Sequence, residues 1–220
     1  MEETEDMIVF DTNSIFKRNS IKDNLLARIR ASENRHQLRN DLKLLGTLMA
    51  YEISKELEYK KIRVSTPLGV KNQYSLEEYP VIINILRAAN PFVEGALEVF
   101  RESDVSFIAS ARNEQTLEAD LNYEAVQNLN HRTILVPDVM LATGNSLIAS
   151  LESLKKYGEP KQIFIQTAIA SKQGIKAVFR KFPDAKVYAA SVDEKLNDQG
   201  YIVPGLGDAG DLCYGGKFKP

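Results

Sequence analysis

The stretch Thr133-Ile134-Leu135-Val136-Pro137-Asp138-Val139-Met140-Leu141-Ala142-Thr143-Gly144-Asn145-Ser146 decides how the rest of this chain is read. It opens as a short apolar run, reaches an acid at Asp138, and then supplies Thr143, Gly144, Asn145 and Ser146. Leu147, Ile148, Leu151 and Leu154 follow at the spacing of one helix face. A strand, an acid, a short polar loop and a helix therefore succeed one another. A helix N-terminus carries free N–H groups and a partial positive charge, which suits a phosphate. Gly144 lets the backbone approach closely. Thr143 and Ser146 add hydroxyl donors, and Asp138 at the strand end is placed to accept hydrogen bonds from sugar hydroxyls. The competing reading is that Thr, Asn and Ser merely cap a helix.

Outward from this stretch the same alternation recurs. Val81-Ile82-Ile83-Asn84-Ile85-Leu86 is a compact apolar run, followed by a helix pattern over residues 92–100. Further runs fall at residues 105–108, 163–169 and 187–192, with Ile175, Val178, Phe179 and Phe182 marking another helix face. Short apolar runs separated by helices predict a parallel sheet, buried on both faces and flanked by helices. Residues 111–131 break the alternation and are long for a plain loop, so they are expected to be hairpin-like or functional. Residues 61–76 alternate and then meet Pro67, Gly69 and Asn72, which predicts a hairpin or flap. Leu38, Leu42, Leu45 and Met49 form one apolar stripe, so a helix is expected from about Arg35. The first thirty residues are polar and irregular and read as an arm over the surface. The expected organisation is an N-terminal arm, 1–34, and a single α/β domain, 35–220, with an open, mostly parallel sheet and a small hood or flap.

At 220 residues, with 44% hydrophobic and 26% charged residues, the chain can bury a core without staples. Lys and Arg total 28 against 30 Asp and Glu, a net charge of −2. A broad nucleic-acid footprint needs many cations on phosphates, and this balance argues against one. Cys213 is the only cysteine, so no internal disulfide is possible, and it reads as a small inert side chain. The start MEETEDM is acidic where a signal peptide is basic. No run approaches the roughly 20 apolar residues of a membrane span. A cytoplasmic protein is expected, with no membrane partner.

Other chemistries lack their residues. No Gly-Lys-Ser/Thr is present, so this is no Walker loop. His36 and His131 lie far apart with no Cys or paired carboxylates at ligand spacing, which excludes a zinc motif. No G-x-S-x-G elbow occurs. Gly205-Leu206-Gly207-Asp208-Ala209-Gly210 has the form G-x-G-x-x-G, but only ten residues follow it, too few for a dinucleotide unit. The loop is either a set of tight turns or a close backbone approach to a ligand.

The 138–144 loop resembles the phosphoribosyl-diphosphate loop of type I phosphoribosyltransferases. Tyr201-Ile202-Val203-Pro204-Gly205-Leu206-Gly207-Asp208-Ala209-Gly210-Asp211 resembles the uracil-binding signature of uracil phosphoribosyltransferases. Ile85-Leu86-Arg87-Ala88 is similar to that family's diphosphate loop. Arg112-Asn113-Glu114-Gln115-Thr116-Leu117-Glu118 is similar to its flexible-loop arginine segment. All four segments occur in the family's order, and the similarity runs from about Arg35 to the end.

The resemblance implies a reaction: uracil and 5-phospho-α-D-ribose 1-diphosphate give UMP and diphosphate, with Mg²⁺, a salvage route to pyrimidine nucleotide. It implies that Asp138, Met140, Leu141, Ala142, Thr143, Gly144, Asn145 and Ser146 hold the ribose and its 5-phosphate. Arg87 and Arg112 would face the diphosphate. Ile202, Gly207 and Ala209 would read uracil through main-chain groups, with Asp208 beside the ribosyl diphosphate and its metal. Arg112 and Asp208 are the expected catalytic residues. No direct protein ligand to Mg²⁺ is expected, because the ion bridges diphosphate oxygens and keeps most of its waters. A homo-oligomer, dimer or tetramer, and GTP as a candidate effector complete the expectation.

Physically, a glycine-rich turn can offer N–H groups to the carbonyl oxygens of uracil and a C=O to its N3–H. A site that pairs every polar edge of one base rejects cytosine, whose C4 amino group leaves site groups unsatisfied. Chemistry at C1′ proceeds through an oxocarbenium-like state, so positioning and charge stabilisation dominate. A long segment around Arg112 could close over the site and exclude water. This sequence also departs from the family pattern. Val139 stands where a Pro is usual and Asn145 where a Gly is, Asn being the next best residue for a left-handed conformation. Ala89-Asn90-Pro91 replaces Gly-Leu-Gly, and Ala119-Asp120-Leu121-Asn122 replaces Pro-Val-Pro-Tyr. Two other functions compete: an RNA-binding, UMP-sensing regulator on the same fold, and a phosphoribosyltransferase for another base.

Overall fold

A computed structural model describes residues 19–112 and 119–218, the side chains of 110–112 and 119–122 excepted. The chain opens with α1 (Ser20–Arg30) and α2 (Arg35–Ser54). A hairpin of β1 (Tyr59–Thr66) and β2 (Gly69–Leu76) follows. Then come β3 (Val81–Leu86), α3 (Asn90–Val99), β4 (Val105–Arg112), β5 (Ala119–Ala125), β6 (Thr133–Leu141) and α4 (Asn145–Leu154). The chain continues with β7 (Gln162–Ser171), α5 (Lys172–Lys181), β8 (Lys186–Asp193), the short β9 (Lys195–Leu196) and β10 (Ile202–Val203), and α6 (Ala209–Tyr214).

The central sheet has six strands in the order β5-β4-β3-β6-β7-β8. Every neighbouring pair is parallel except β4 with β5. The chain moves outward from β3 to β4 on one side and from β6 to β8 on the other. The order therefore reverses between β3 and β6, and a crevice opens beyond their carboxyl ends.

Alternation along the strands builds the two cores. Ile82 and Leu135 pack with Leu38, Leu42, Leu45 and Met49 of α2 and with Phe92 of α3. Val81, Ile83, Ile134 and Val136 point the other way, against Leu147 and Leu151 of α4 and Ile175 and Val178 of α5. Successive side chains of a strand face opposite sides, so each strand feeds both layers. Full burial of one such aliphatic side chain contributes about 1.5–3 kcal/mol.

The α2 stripe is as expected: Asn34 caps the helix by accepting from the Gln37 N–H at 3.0 Å, and Leu38, Leu42, Leu45 and Met49 are all buried. The 61–76 segment is a hairpin, whose strands start at Tyr59 and end at Leu76. It is exposed on both faces, with Tyr59, Leu68, Val70 and Tyr74 all open to solvent. The N-terminal residues differ from their reading as irregular chain. From Ser20 they are helical, capped by Asn19, and Leu25, Leu26 and Ile29 are buried in the α2 core. Three apolar residues in a polar stretch carry the anchoring. Cys213 is fully buried, and burial pushes its thiol up to about 11, which makes it unreactive.

Candidate active site

A cleft of about 240 Å³ lies at the β3/β6 switch point. Three chain segments that are distant in sequence line it: Arg87 and Ala88 after β3, residues of the β6–α4 loop, and the C-terminal segment around Ile202, Asp208 and Ala209. A larger cavity of about 620 Å³ sits where β6 and β7 begin, among the C-terminal ends of α4 and α5. None of the candidate site residues lines it, and open α/β sheets bind ligands at the other end of their strands.

On the β6 side, Asp138 is not at the strand end. It lies within β6, paired across to Thr167, and the strand runs on to Leu141. The apolar run was too short a guide because Val139 and Leu141 continue the buried pattern after the acid. Asp138 lines the floor of the cleft. Burial pushes its carboxyl up, opposed by the N–H groups of Met140 and Val139. Met140 N–H donates to its Oδ1 at 3.3 Å. Met140, Ala142 and Ser146 also line the cleft. Leu141 does not: it is 1% exposed and its side chain packs in the α4/α5 core.

The turn into α4 answers the capping alternative. Its N-cap is Gly144, which has no side chain, with a left-handed φ of +84°. A Cβ there would stand 3.2 Å from the Gly174 carbonyl oxygen. Thr143 Oγ1 accepts only a long bond, 3.4 Å, from the Asn145 N–H. Asn145 is the first helical residue and is exposed, so it does not occupy the left-handed position expected of it. The N-cap of α4 therefore supplies no side-chain hydrogen bond to the first N–H groups of the helix.

At β3, the Leu86–Arg87 peptide is cis, and Arg87 reaches across to the C-terminal segment. Its Nη2 bonds Asp211 Oδ1 at 2.7 Å and its Nη1 the Gly215 carbonyl at 3.3 Å. The pair is partly exposed, 38% and 40%. Asp211 was visible in the signature but carried no role in the sequence reading. Arg112 ends β4, its backbone paired with Ala119 across a hairpin. Its side chain and residues 113–118 lie outside the described residues, and with them the rest of that expected segment. The hairpin itself accords with the reading of residues 111–131.

On the C-terminal side, Ile202 is buried in β10 and Ala209 begins α6 at 3% exposure. Both line the cleft, with Gly207 at φ +93°. Asp208 is exposed on the rim and caps α6, its Oδ1 accepting from the Asp211 N–H at 2.9 Å. A helix N-cap uses one carboxylate oxygen. Left-handed Gly205 and Gly207, the short β10 and the six-residue α6 shape this loop, and Gly207 and Gly210 line the cleft with Ile202 and Ala209. Lys217 also lines the cleft, and sequence reading missed it. His36 and His131 are both exposed on the surface. Among the described residues no three His, Cys, Asp or Glu side chains gather to hold a metal. Nor is any helix among them long and apolar enough to cross a membrane.

A family model described as uracil phosphoribosyltransferase matches residues 17–216. The uracil phosphoribosyltransferase of Pyrococcus furiosus is 39% identical over 191 residues, covering 83% of this chain and 81% of that protein. That of Limosilactobacillus fermentum is 41% identical over 182 residues, 81% of this chain and 86% of the relative. Among solved structures, the AQ2163 protein from Aquifex aeolicus superposes with a TM-score of 0.86 at 36% identity, over 90% of this chain and 96% of the other.

Proposed function

The chain belongs to the uracil phosphoribosyltransferase family, and we infer from its cleft how its residues divide that family's work. It is an enzyme that transfers the 5-phosphoribosyl group from 5-phospho-α-D-ribose 1-diphosphate to uracil, giving UMP and diphosphate. The observation that carries the site assignment is the shared cleft: Asp138 and Ser146 meet Ile202, Gly207 and Ala209 at the switch point of the sheet.

In this reading Asp138 accepts hydrogen bonds from the ribose hydroxyls. The α4 N-terminus with Thr143, Gly144, Asn145 and Ser146 takes the 5-phosphate, because N–H groups and the helix dipole both favour an anion there. Arg87 exchanges the Asp211 carboxylate for diphosphate oxygens. An exposed ion pair is worth about 0–1 kcal/mol, so the exchange costs little. Arg112 is assigned to the same leaving group. The C1′–O bond to diphosphate breaks as a bond to N1 of uracil forms, and the N1 proton passes to water or to the departing diphosphate. Ile202, Gly207 and Ala209 hold the base by main-chain groups.

The exposed carboxylate of Asp208 on the cleft rim fits a magnesium ion carried by the diphosphate. Mg²⁺ takes oxygen ligands, keeps several waters and needs only one or two carboxylates. Asp208, on the rim with one oxygen committed to its helix, is the residue we assign beside the ion. When bound, the ion neutralises charge on the leaving diphosphate.

The exposed β1–β2 hairpin, with Tyr59, Leu68, Val70 and Tyr74 uncovered, supports assembly of two or four copies. A phosphorylated sugar as substrate supports a cytoplasmic location. The test is turnover with the sugar donor, Mg²⁺ and each free base in turn, with and without GTP, following nucleotide and diphosphate. UMP formation from uracil alone is expected. Faster use of another base would overturn the base assignment.

A further inference from the structure

At Gly205 the C-terminal loop is tied to α1, at the opposite end of the chain. Gly205 lies at its foot with a left-handed φ of +52°, and a Cβ there would stand 2.2 Å from the Ile202 carbonyl oxygen. Its N–H donates to Asp193 Oδ2 at 2.9 Å. Its carbonyl accepts from Arg30 Nη1 at 2.7 Å. Arg30 forks onto the same carboxylate, Nη1 to Oδ2 at 2.8 Å and Nη2 to Oδ1 at 2.7 Å. Nη2 also donates to Ser191 Oγ at 3.0 Å. Arg30 is the last residue of α1 and Asp193 the last of β8. The Asp193 side chain is 7% exposed and that of Arg30 25%. Burial pushes the Asp193 carboxyl up, but the Arg30 guanidinium and the Gly205 N–H outweigh it and hold it below the usual carboxylate range.

An ion pair that served only to dock α1 on β8 has no need of a glycine's main chain. Here both polar groups of Gly205 are consumed by the pair. Ile202 and Ala209, which flank this glycine in the loop, line the cleft. Reading a base through main-chain groups requires the main chain to be held to about 0.5 Å. Glycines supply the turn but lose more conformational freedom on ordering than other residues, so a glycine-rich loop needs an external hold. We propose that Arg30 and Asp193 are positioning residues for the base subsite, fixing the loop through Gly205 so that its N–H and C=O groups match uracil. The proposal rests on the assignment of residues 202–209 to the base.

The test uses full-length Arg30→Lys, Asp193→Asn and Ala209→Val, with KM measured separately for uracil and for the sugar donor, and Tm alongside. Lysine keeps the charge but lacks the planar fork that engages carboxylate and carbonyl together. The expected result for both clamp variants is a uracil KM raised about tenfold, equivalent to about 1.4 kcal/mol. The donor KM should stay within about twofold, and the preference for uracil over cytosine should fall. If Ala209→Val raises the uracil KM while the clamp variants leave it unchanged, the positioning role is overturned and the base loop stands. If Ala209→Val leaves the uracil KM unchanged, the base-loop assignment fails and the proposal with it. Clamp variants that do not fold, or that raise both KM values in step with a lowered Tm, make the pair a structural tie and overturn the proposal.

Discussion

The β6–α4 loop is held by its own neighbours in the chain and by the adjacent strand β7, whereas the segment from Ile202 to Tyr214 is held by side chains from far away, although both line one cleft. In the first, Leu141 and Leu147 are buried on either side of the turn, and Gly144 accepts from the Ile148 N–H at 2.8 Å. Ser171 at the end of the adjacent β7 closes the turn by donating to the Ala142 carbonyl at 2.5 Å. In the second, the short strand and the six-residue helix are too small to be stable alone. Arg30 on the Gly205 carbonyl, Arg39 on the Cys213 carbonyl at 2.6 Å and Arg87 on Asp211 fix them instead. A phosphate site asks for free N–H groups at a helix start, which local sequence can build. A base site asks for main chain at a set distance from that phosphate, which needs ties across the fold.

The contrast has separable consequences for the two substrates. The largest effect is expected for Gly144→Val. A β-branched residue forced to a left-handed φ, with a Cβ at 3.2 Å from a carbonyl, costs about 2–3 kcal/mol. It should appear as roughly a hundredfold loss in kcat/KM for the sugar donor, with the uracil KM little changed. Steady-state kinetics with each substrate varied would show it, and an equal loss for both substrates would break the division.

Ala209→Val comes next, on the other side. Overpacking at a buried position that lines the base side costs about 1–3 kcal/mol. A raised uracil KM with an unchanged donor KM is the expected outcome. A lowered Tm with both KM values intact would make the loop merely structural.

Asp138→Asn should weaken donor use by about 1 kcal/mol, because the amide accepts through one oxygen instead of two. Stability should move the opposite way. Burial raises the Asp138 carboxyl above its unfolded value, so ionisation at neutral pH works against folding. That penalty shrinks as pH falls through the raised value. The variant should therefore melt above the wild type at neutral pH, with the gap closing in acid. Thermal scans across pH check this, and a variant less stable at every pH would assign Asp138 a structural role.

The smallest effect is expected from Asp211→Asn. It removes the carboxylate competing for Arg87, and an exposed pair is worth about 0–1 kcal/mol. The donor KM should fall by about two- to threefold, as titration of initial rates would show. A rise would mean that Asp211 itself handles substrate.

Much of the frame was legible along the chain. Runs such as 81–86 and 187–192 became β3 and β8, because strands buried on both faces read as continuous apolar sequence. The β6–α4 loop was legible because its parts are consecutive. Asp138 was placed at the strand end instead of inside it, since a buried acid interrupts an apolar run that the backbone continues. Leu141 was assigned to the site but faces the core, because strand alternation over so few residues does not say which face the ligand occupies. Asn145 proved helical: the left-handed residue is its neighbour Gly144.

The amino-acid sequence by itself determined the parallel α/β core, the helix start that suits a phosphate, and the glycine-rich segment that resembles a base-binding signature. Each strand, helix and loop in these is a pattern of near neighbours in the chain. What tertiary structure alone decided is how the sheet order reverses between β3 and β6, and so which loops share the cleft. It also decided that Arg30, in a stretch that read as an irregular arm, meets Asp193 and Gly205, 163 and 175 residues further on. No local period encodes such a meeting. A guanidinium finds its carboxylate because the packed core brings two distant strand and helix ends together, and burial then makes their pairing obligatory.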